Sequence, residues 1–110
     1  MNAITTHVLD LTTGRPAAGV AVRLDRLTDG AWQVAGDAVT DADGRVRDAF
    51  PPLTGPGRFR LTFATGAWFA ESGTACFHPE VTIVFEVTET RHHHVPLLLS
   101  PFGYSTYRGS

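Results

Sequence analysis

Histidine offers the clearest route to chemistry in this chain, because an imidazole with a pKa near about 6.5 can exchange a proton at neutral pH. Three of the five histidines are consecutive, His92 to His94, and an apolar run follows over residues 95–99. Alternate side chains of a β-strand share a face, so His92 and His94 are predicted to point one way and His93 the other. The pair fits an acid–base site, two ligands of a metal, or a solvated strand end.

A metal is the weaker interpretation of this cluster, because catalytic zinc normally needs a third protein ligand. The chain has no HExxH motif, and its single cysteine, Cys76, lies in an apolar stretch that indicates a small buried residue. A calcium loop at Asp41 and Asp43 is rejected, since the third acidic position and the distal glutamate of that pattern are missing. The residues therefore do not favour metal binding.

Two residues outside the histidine cluster could also take part in proton transfer or anion binding. His7 lies within a predicted strand, on the face opposite Ile4 and Val8. Arg45 follows a predicted tight turn over residues 41–44 and stands at the start of the next strand. Each also fits a structural role, with His7 bonded to a backbone carbonyl and Arg45 facing water.

The elements that must position these residues are predicted to be β-strands. Glycine and proline recur about every dozen residues, which is typical of a β-sandwich with mainly antiparallel neighbours. Apolar residues alternate with polar ones at Val20, Val22 and Leu24, at Phe59, Leu61 and Phe63, and at Val81, Ile83, Phe85 and Val87. Val84 breaks the third pattern and indicates a second packed surface, which could be an interface. One short helix is predicted over residues 67–72, where Gly73 can end it.

Length and composition exclude several classes of protein. The chain has 110 residues, a length that predicts one domain over residues 1–110. Its formal net charge is -2. Its nine basic residues are all arginine, so Schiff-base lysine chemistry and a P-loop are excluded. It has no basic cluster for nucleic acid and no apolar run of about 20 residues for a membrane span. Residues 1–4 carry no secretory signal, so we expect a cytoplasmic protein with a small-molecule partner.

The carboxyl end is dense in aromatic and polar residues over residues 102–110, whereas chain ends are normally frayed. This composition predicts an ordered segment. A terminal strand that closes a sheet edge would account for the aromatic residues without any chemistry.

Three separated motifs give the chain a resemblance to a known family. They are ITTHVLD at residues 4–10, DADGR at residues 41–45, and HHHVPLLLSP at residues 92–101, which leads into YRGS at residues 107–110. Together they resemble the 5-hydroxyisourate hydrolases, the transthyretin-related enzymes of urate breakdown, over essentially the whole chain. The final YRGS distinguishes these hydrolases from transthyretins that bind hormones. The family often has tyrosine where this chain has His93 and Phe102, and it assigns the chemistry to neither position.

The resemblance implies an all-β fold, a transthyretin-like antiparallel β-sandwich of seven to eight strands with one short helix. It implies a homotetramer with active sites where dimers meet, no metal or organic cofactor, and no nucleic acid or membrane partner. The implied reaction converts 5-hydroxyisourate to 2-oxo-4-hydroxy-4-carboxy-5-ureidoimidazoline. In it, water adds at the ring carbonyl C6 and the bond from N1 to C6 opens to a carboxylate.

The resemblance also implies the site. The implied catalytic residues are His7, Arg45, His94 and Ser110, and the implied substrate-binding residues are His7, Arg45, Tyr107, Arg108 and Gly109. Either His7 or His94 would deprotonate the water while the other orients it or shuttles the proton. Arg45 would present its charged fork to ring carbonyls and to the oxyanion, and Ser110 would offer a hydroxyl and a terminal carboxylate. The alternative is a transthyretin-like protein that binds a small ligand without catalysis.

Overall fold

Two β-sheets enclose an apolar core in the computed structural model, which describes residues 3–110. The elements are β1 Ile4–Asp10, β2 Arg15–Pro16, β3 Ala21–Thr28, β4 Ala31–Val39, β5 Arg45–Val46, β6 Gly57–Phe63, α1 Thr65–Glu71, β7 Val81–Val87, β8 His93–Ser100 and β9 Gly103–Thr106. One sheet has the order β2-β1-β8-β9, with β5 also paired to β1, and the other has the order β4-β3-β6-β7. The predicted all-β sandwich with one short helix is therefore confirmed.

One pairing departs from the predicted antiparallel neighbours. Strands β1 and β8 run parallel, and every residue of β1 has a partner in β8. All other paired strands are antiparallel within residues 3–110. A period of two residues reports which face is buried but carries no information on strand direction, so the sequence could not predict this pairing.

Alternate burial along the strands matches most of the predicted core positions. Strand β1 buries Ile4, Thr6, Val8 and Asp10 and turns the residues between them outward. The apolar positions predicted over residues 59–63 and 81–87 are buried as well, except that Phe85 is only partly buried. Val84 is 54% exposed in the single chain, so its side chain faces out from the outer surface of β7.

The helix begins two residues before the predicted start, at Thr65, and ends at Glu71. Its first turn is held from outside, because the Thr65 hydroxyl donates to the carbonyl of His78 at 3.2 Å. Phe69 is buried and packs the helix against the core. Gly73, with a φ of 68°, lies just beyond the C-terminal end.

The turn before β5 requires a glycine. Gly44 has a φ of 74°, and a Cβ there would lie 2.5 Å from the carbonyl oxygen of Val8. The turn therefore packs closely against β1 and delivers Arg45 at the first position of β5, as predicted.

Within the described residues, no helix is long and apolar enough to cross a membrane. The predicted lack of a secretory signal depends in part on Met1 and Asn2, which lie outside the described residues.

Candidate active site

Strand β1 brings the candidate residues together because it lies between two partners, β8 on one side and β5 on the other. The register places Thr5 beside His94 and His7 beside Arg45. Their neighbours Thr6, Val46, His93 and Val95 are buried, so the alternation of a strand turns the four side chains to the outer face of the sheet. One face of three adjacent strands thus carries two histidines and an arginine.

An open cavity of about 560 Å³ lies on this face. It is lined by Thr5, Thr6, Arg45, Val46, Arg47, His92, His94 and Ser110. Its volume falls within the range of about 300 to 1,000 Å³ that is usual for small-molecule sites. Three of the four residues implied as catalytic line it directly, and the fourth, His7, neighbours Arg45 outside the lining.

The two arginines of this cavity differ in their partners. Arg47 forms ion pairs with Asp41 and Asp43, at 3.5 Å and 2.8 Å. Among residues 3–110, the guanidinium of Arg45 has no acidic partner within 4.0 Å and no side-chain hydrogen bond. Its backbone is nevertheless held, because its N–H donates to the Asp41 carboxylate at 3.0 Å. The turn therefore fixes the position of Arg45 and leaves its guanidinium free for a ligand.

The hydrogen bonds within this turn also change the pKa of its Asp41 carboxyl group. The backbone N–H of Arg45 is the main cause that lowers the pKa of the Asp41 carboxyl below its ordinary value, and the N–H of Asp43 adds to it. The carboxylate therefore stays charged over the neutral range, so the bonds that shape the turn persist there.

Both site histidines are shifted toward the neutral form. Burial is the first cause that lowers the pKa of His7 below 6.5, and the positive charge of Arg45 is the second, while the backbone of Asp43 opposes them. Burial and then Arg45 also lower the pKa of His94, and His92 and His7 lower it further. Each imidazole is thus uncharged at neutral pH and can accept a proton.

The last residues close one side of the cavity. The backbone N–H of Gly109 donates to the carbonyl of His94 at 2.8 Å, which places Ser110 in the cavity lining. A Cβ at Gly109 would lie 2.5 Å from Cδ2 of His94, so this backbone packs directly on the imidazole ring. The predicted ordering of the carboxyl end is confirmed, since β9 also pairs with β8.

Tyr107 and Arg108 lie outside this cavity. Tyr107 is 58% exposed and lines a separate groove of about 250 Å³ beside Val84. A guanidinium nitrogen of Arg108, Nη2, lies 3.4 Å from Nε2 of His93, the buried histidine that points away from its two neighbours as predicted. In the single chain these two residues therefore line the groove rather than the cavity.

Sequence reasoning missed Thr5. Its hydroxyl lies 2.7 Å from Nε2 of His92 and 2.8 Å from Nδ1 of His94, so it joins the two rings that share a face. The alternation along β1 places Thr5 on the same face as His7, and that pattern was the available signal. The alternation could not predict that Thr5 contacts His94, which lies 89 residues further along the chain.

The residues present suit proton transfer and anion stabilisation. Two neutral imidazoles and a free guanidinium can deprotonate water and stabilise a developing oxyanion. Among residues 3–110, no group of three or more His, Cys, Asp or Glu side chains is arranged to hold a metal ion.

The two sheets, the short helix and the site on the outer face of one sheet define a transthyretin-like β-sandwich. The chain belongs to the HIUase/Transthyretin family, whose model matches residues 4–109.

Relatives of the chain include 5-hydroxyisourate hydrolases and a transthyretin bound to thyroxine. The chain is 46% identical to a 5-hydroxyisourate hydrolase of Caulobacter vibrioides over the whole of both chains. A solved structure of the Klebsiella pneumoniae 5-hydroxyisourate hydrolase matches with a TM-score of 0.84 and 43% identity, over 98% of this chain and 99% of that one. Sea bream transthyretin in complex with thyroxine matches with a TM-score of 0.91 and 33% identity, over 96% and 93%. The backbone alone therefore does not distinguish a 5-hydroxyisourate hydrolase from a transthyretin that binds thyroxine.

Proposed function

We propose that this protein hydrolyses 5-hydroxyisourate by opening the amide bond between N1 and C6 of its ring. The observation that carries the proposal is the convergence of Arg45, His94 and Ser110 on one cavity, in which the Arg45 guanidinium has no side-chain partner among residues 3–110. Relatives at 43% to 46% identity bear the name of this hydrolase, which supports the same substrate.

His94 is proposed as the general base. It lines the cavity with Arg45, whereas His7 lies beside Arg45 without lining it, so His94 is the better placed to reach a water on the substrate. Nε2 of His94 takes a proton from water as the water oxygen bonds to C6, and it later returns this proton to N1 when the bond from C6 to N1 breaks. A base of this kind contributes about 100-fold to 10,000-fold. His7 is proposed to orient the water or the substrate.

Arg45 is proposed to stabilise the oxyanion that forms on the C6 carbonyl. A guanidinium presents a rigid fork of donors and keeps its charge, and no competing carboxylate must first be displaced from it. Losing one such donor typically costs about 3 to 4 kcal/mol in the transition state.

The C-terminal segment, residues 107–110, is proposed to close the site over the substrate. Ser110 offers its hydroxyl inside the cavity, and Gly109 offers close approach of the backbone. Arg108 holds the segment through His93, and Tyr107 binds substrate from the adjoining groove once the site is assembled.

A homotetramer with active sites at the interface between its two dimers forms part of the proposal. The edge strand β7 exposes Val84, and the exposed Tyr107 lies beside it in the same groove, so an apolar surface adjoins the cavity in the single chain. Light scattering coupled to size-exclusion chromatography measures the oligomeric state, and a monomer would contradict this part. One domain over residues 1–110 and a cytoplasmic location are proposed as well, the latter to be tested by cell fractionation.

The activity is tested with 5-hydroxyisourate made freshly from urate by a urate oxidase. The ultraviolet absorbance of this substrate decays slowly on its own. We expect the protein to accelerate this decay in the presence of a chelator. Arg45→Lys and His94→Gln are expected to lower kcat/KM by about 100-fold or more. Arg58→Lys is the matched control, because Arg58 is exposed and paired with Glu86 away from the cavity.

Two results would overturn the proposal. Wild-type protein that leaves the decay unchanged would favour the carrier function, which the similarity to sea bream transthyretin supports. Wild-type turnover after deletion of residues 107–110 would show that the C-terminal segment only packs against the sheet.

A further inference from the structure

The Thr5 hydroxyl links two imidazoles that no strand pairing places in contact. Its Oγ1 lies 2.7 Å from Nε2 of His92 and 2.8 Å from Nδ1 of His94, and the two ring centroids are 6.2 Å apart. A hydroxyl has one proton and two lone pairs, so it can donate to only one of the rings. At least one ring nitrogen must therefore donate a proton to Thr5.

The rings of His92 and His94 differ in how freely they can reorient. His92 is exposed and precedes β8, whereas His94 is half-buried, lies within β8 and has the backbone of Gly109 packed on its ring. The positive charge of Arg45 acts on His94, and a cation in the cavity favours a lone pair, not an N–H, on the nitrogen that does not contact Thr5. The charge of Arg45 therefore favours an Nδ1 proton of His94 that points to Thr5, and the exposed His92 is free to accept the Thr5 proton.

We propose that Thr5 is a positioning residue that accepts the Nδ1 proton of His94, donates its own proton to His92, and so keeps the Nε2 lone pair of His94 free to deprotonate water. The role of His94 as base rests on the proposed function. With the opposite tautomer, Nε2 of His94 would carry a proton and could not accept one. When His94 becomes charged during the reaction, its Nδ1–H bond to Thr5 is retained and strengthened, so no group has to rearrange.

The tautomer is measured directly by long-range ¹H–¹⁵N correlation spectra of protein labelled with [¹⁵N]histidine, above the pH at which His94 is charged. We expect wild-type His94 to show a protonated Nδ1 and an unprotonated Nε2. In Thr5→Val, which keeps the shape and removes the hydroxyl, His94 is expected to shift toward the Nε2–H form. Because a hydrogen-bond partner that orients a functional histidine is worth about 10-fold to 100-fold in activity, kcat should fall by that factor while KM changes little.

Two variants separate positioning from folding. Thr5→Ser keeps the hydroxyl and is expected to retain the wild-type tautomer and kcat. Thr6→Val removes the neighbouring buried hydroxyl, which donates to the carbonyl of Val95 at 2.6 Å on the opposite face of β1. It is expected to lower stability and leave the His94 signals unchanged.

An Nε2–H tautomer of His94 in the wild-type protein would overturn the proposal without any variant. A Thr5→Val protein that is folded and keeps the wild-type kcat would also overturn it. Wild-type turnover in His94→Gln would instead refute His94 as the base and with it the kinetic part of the proposal. The tautomer of wild-type His94 would still decide whether Thr5 holds the ring as stated.

Discussion

Gly109→Ala tests whether close packing on His94 controls the reaction. A Cβ at position 109 would lie 2.5 Å from Cδ2 of His94, and carbon atoms in ordinary contact are about 3.5 Å apart. The ring or the C-terminal segment must therefore move by about 1 Å. Displacements of this size at a catalytic group cost about 100-fold in rate, so we expect kcat/KM to fall by about that factor. The 5-hydroxyisourate decay assay measures it.

The same chain offers a matched control for this substitution. Gly103 also lies near the carboxyl end, and a Cβ there has no atom within 4 Å. Gly103→Ala is therefore expected to keep wild-type turnover. Thermal unfolding should change little in Gly109→Ala, since position 109 lies outside the apolar core. A folded Gly109→Ala protein with wild-type kcat/KM would refute the claim that His94 must hold its place against this backbone.

Three further predictions concern the pH profile of turnover, the pH dependence of stability and an ion pair in the second sheet. Burial is the first cause that lowers the pKa of His94 below 6.5, so the acid limb of kcat/KM is expected below pH 6.5, and a limb above it would contradict the assignment. The same shift makes stability fall as pH drops from 6.5 toward the lowered pKa, because the unfolded chain takes up the proton first. Asp25, 1% exposed, accepts from Arg60 at 2.7 Å, so Asp25→Asn should lower the free energy of unfolding in urea by about 1 to 3 kcal/mol. An unchanged urea midpoint would show that this ion pair contributes nothing.

The sequence predicts the strands better than it predicts how they meet. Alternation identified the buried positions of β3 and β6, because each strand has one apolar face. It missed the parallel pairing of β1 with β8, which joins residues 89 positions apart and brings Thr5 to His94. The predicted helix start was two residues late, because the hydrogen bond that holds Thr65 is made to His78, in another part of the chain.

The site residues also differ in how far the sequence could predict them. Arg45 could be located from the turn before it, because Gly44 and the Asp41 carboxylate fix that turn locally. Among residues 3–110 the guanidinium of Arg45 is unpaired while that of Arg47 is paired, which depends on where each side chain points and cannot be predicted from the residue types. The offset of Tyr107 from the cavity depends on the path of the chain after β9.

We propose that the guanidinium of Arg45, which is unpaired among residues 3–110, also distinguishes a hydrolase from a ligand-binding protein of the same fold. A cavity that only holds an aromatic ligand gains from apolar walls, and an arginine without a partner adds a desolvation cost when the ligand enters. We therefore propose that Arg45 contributes to function and little to stability. We expect Arg45→Leu to leave the free energy of unfolding in urea unchanged or raised by about 1 kcal/mol while it abolishes turnover, as substitutions at active sites often do. A loss of stability greater than about 1 kcal/mol would mean that the guanidinium has a structural partner, and the argument for its role at the oxyanion would fail.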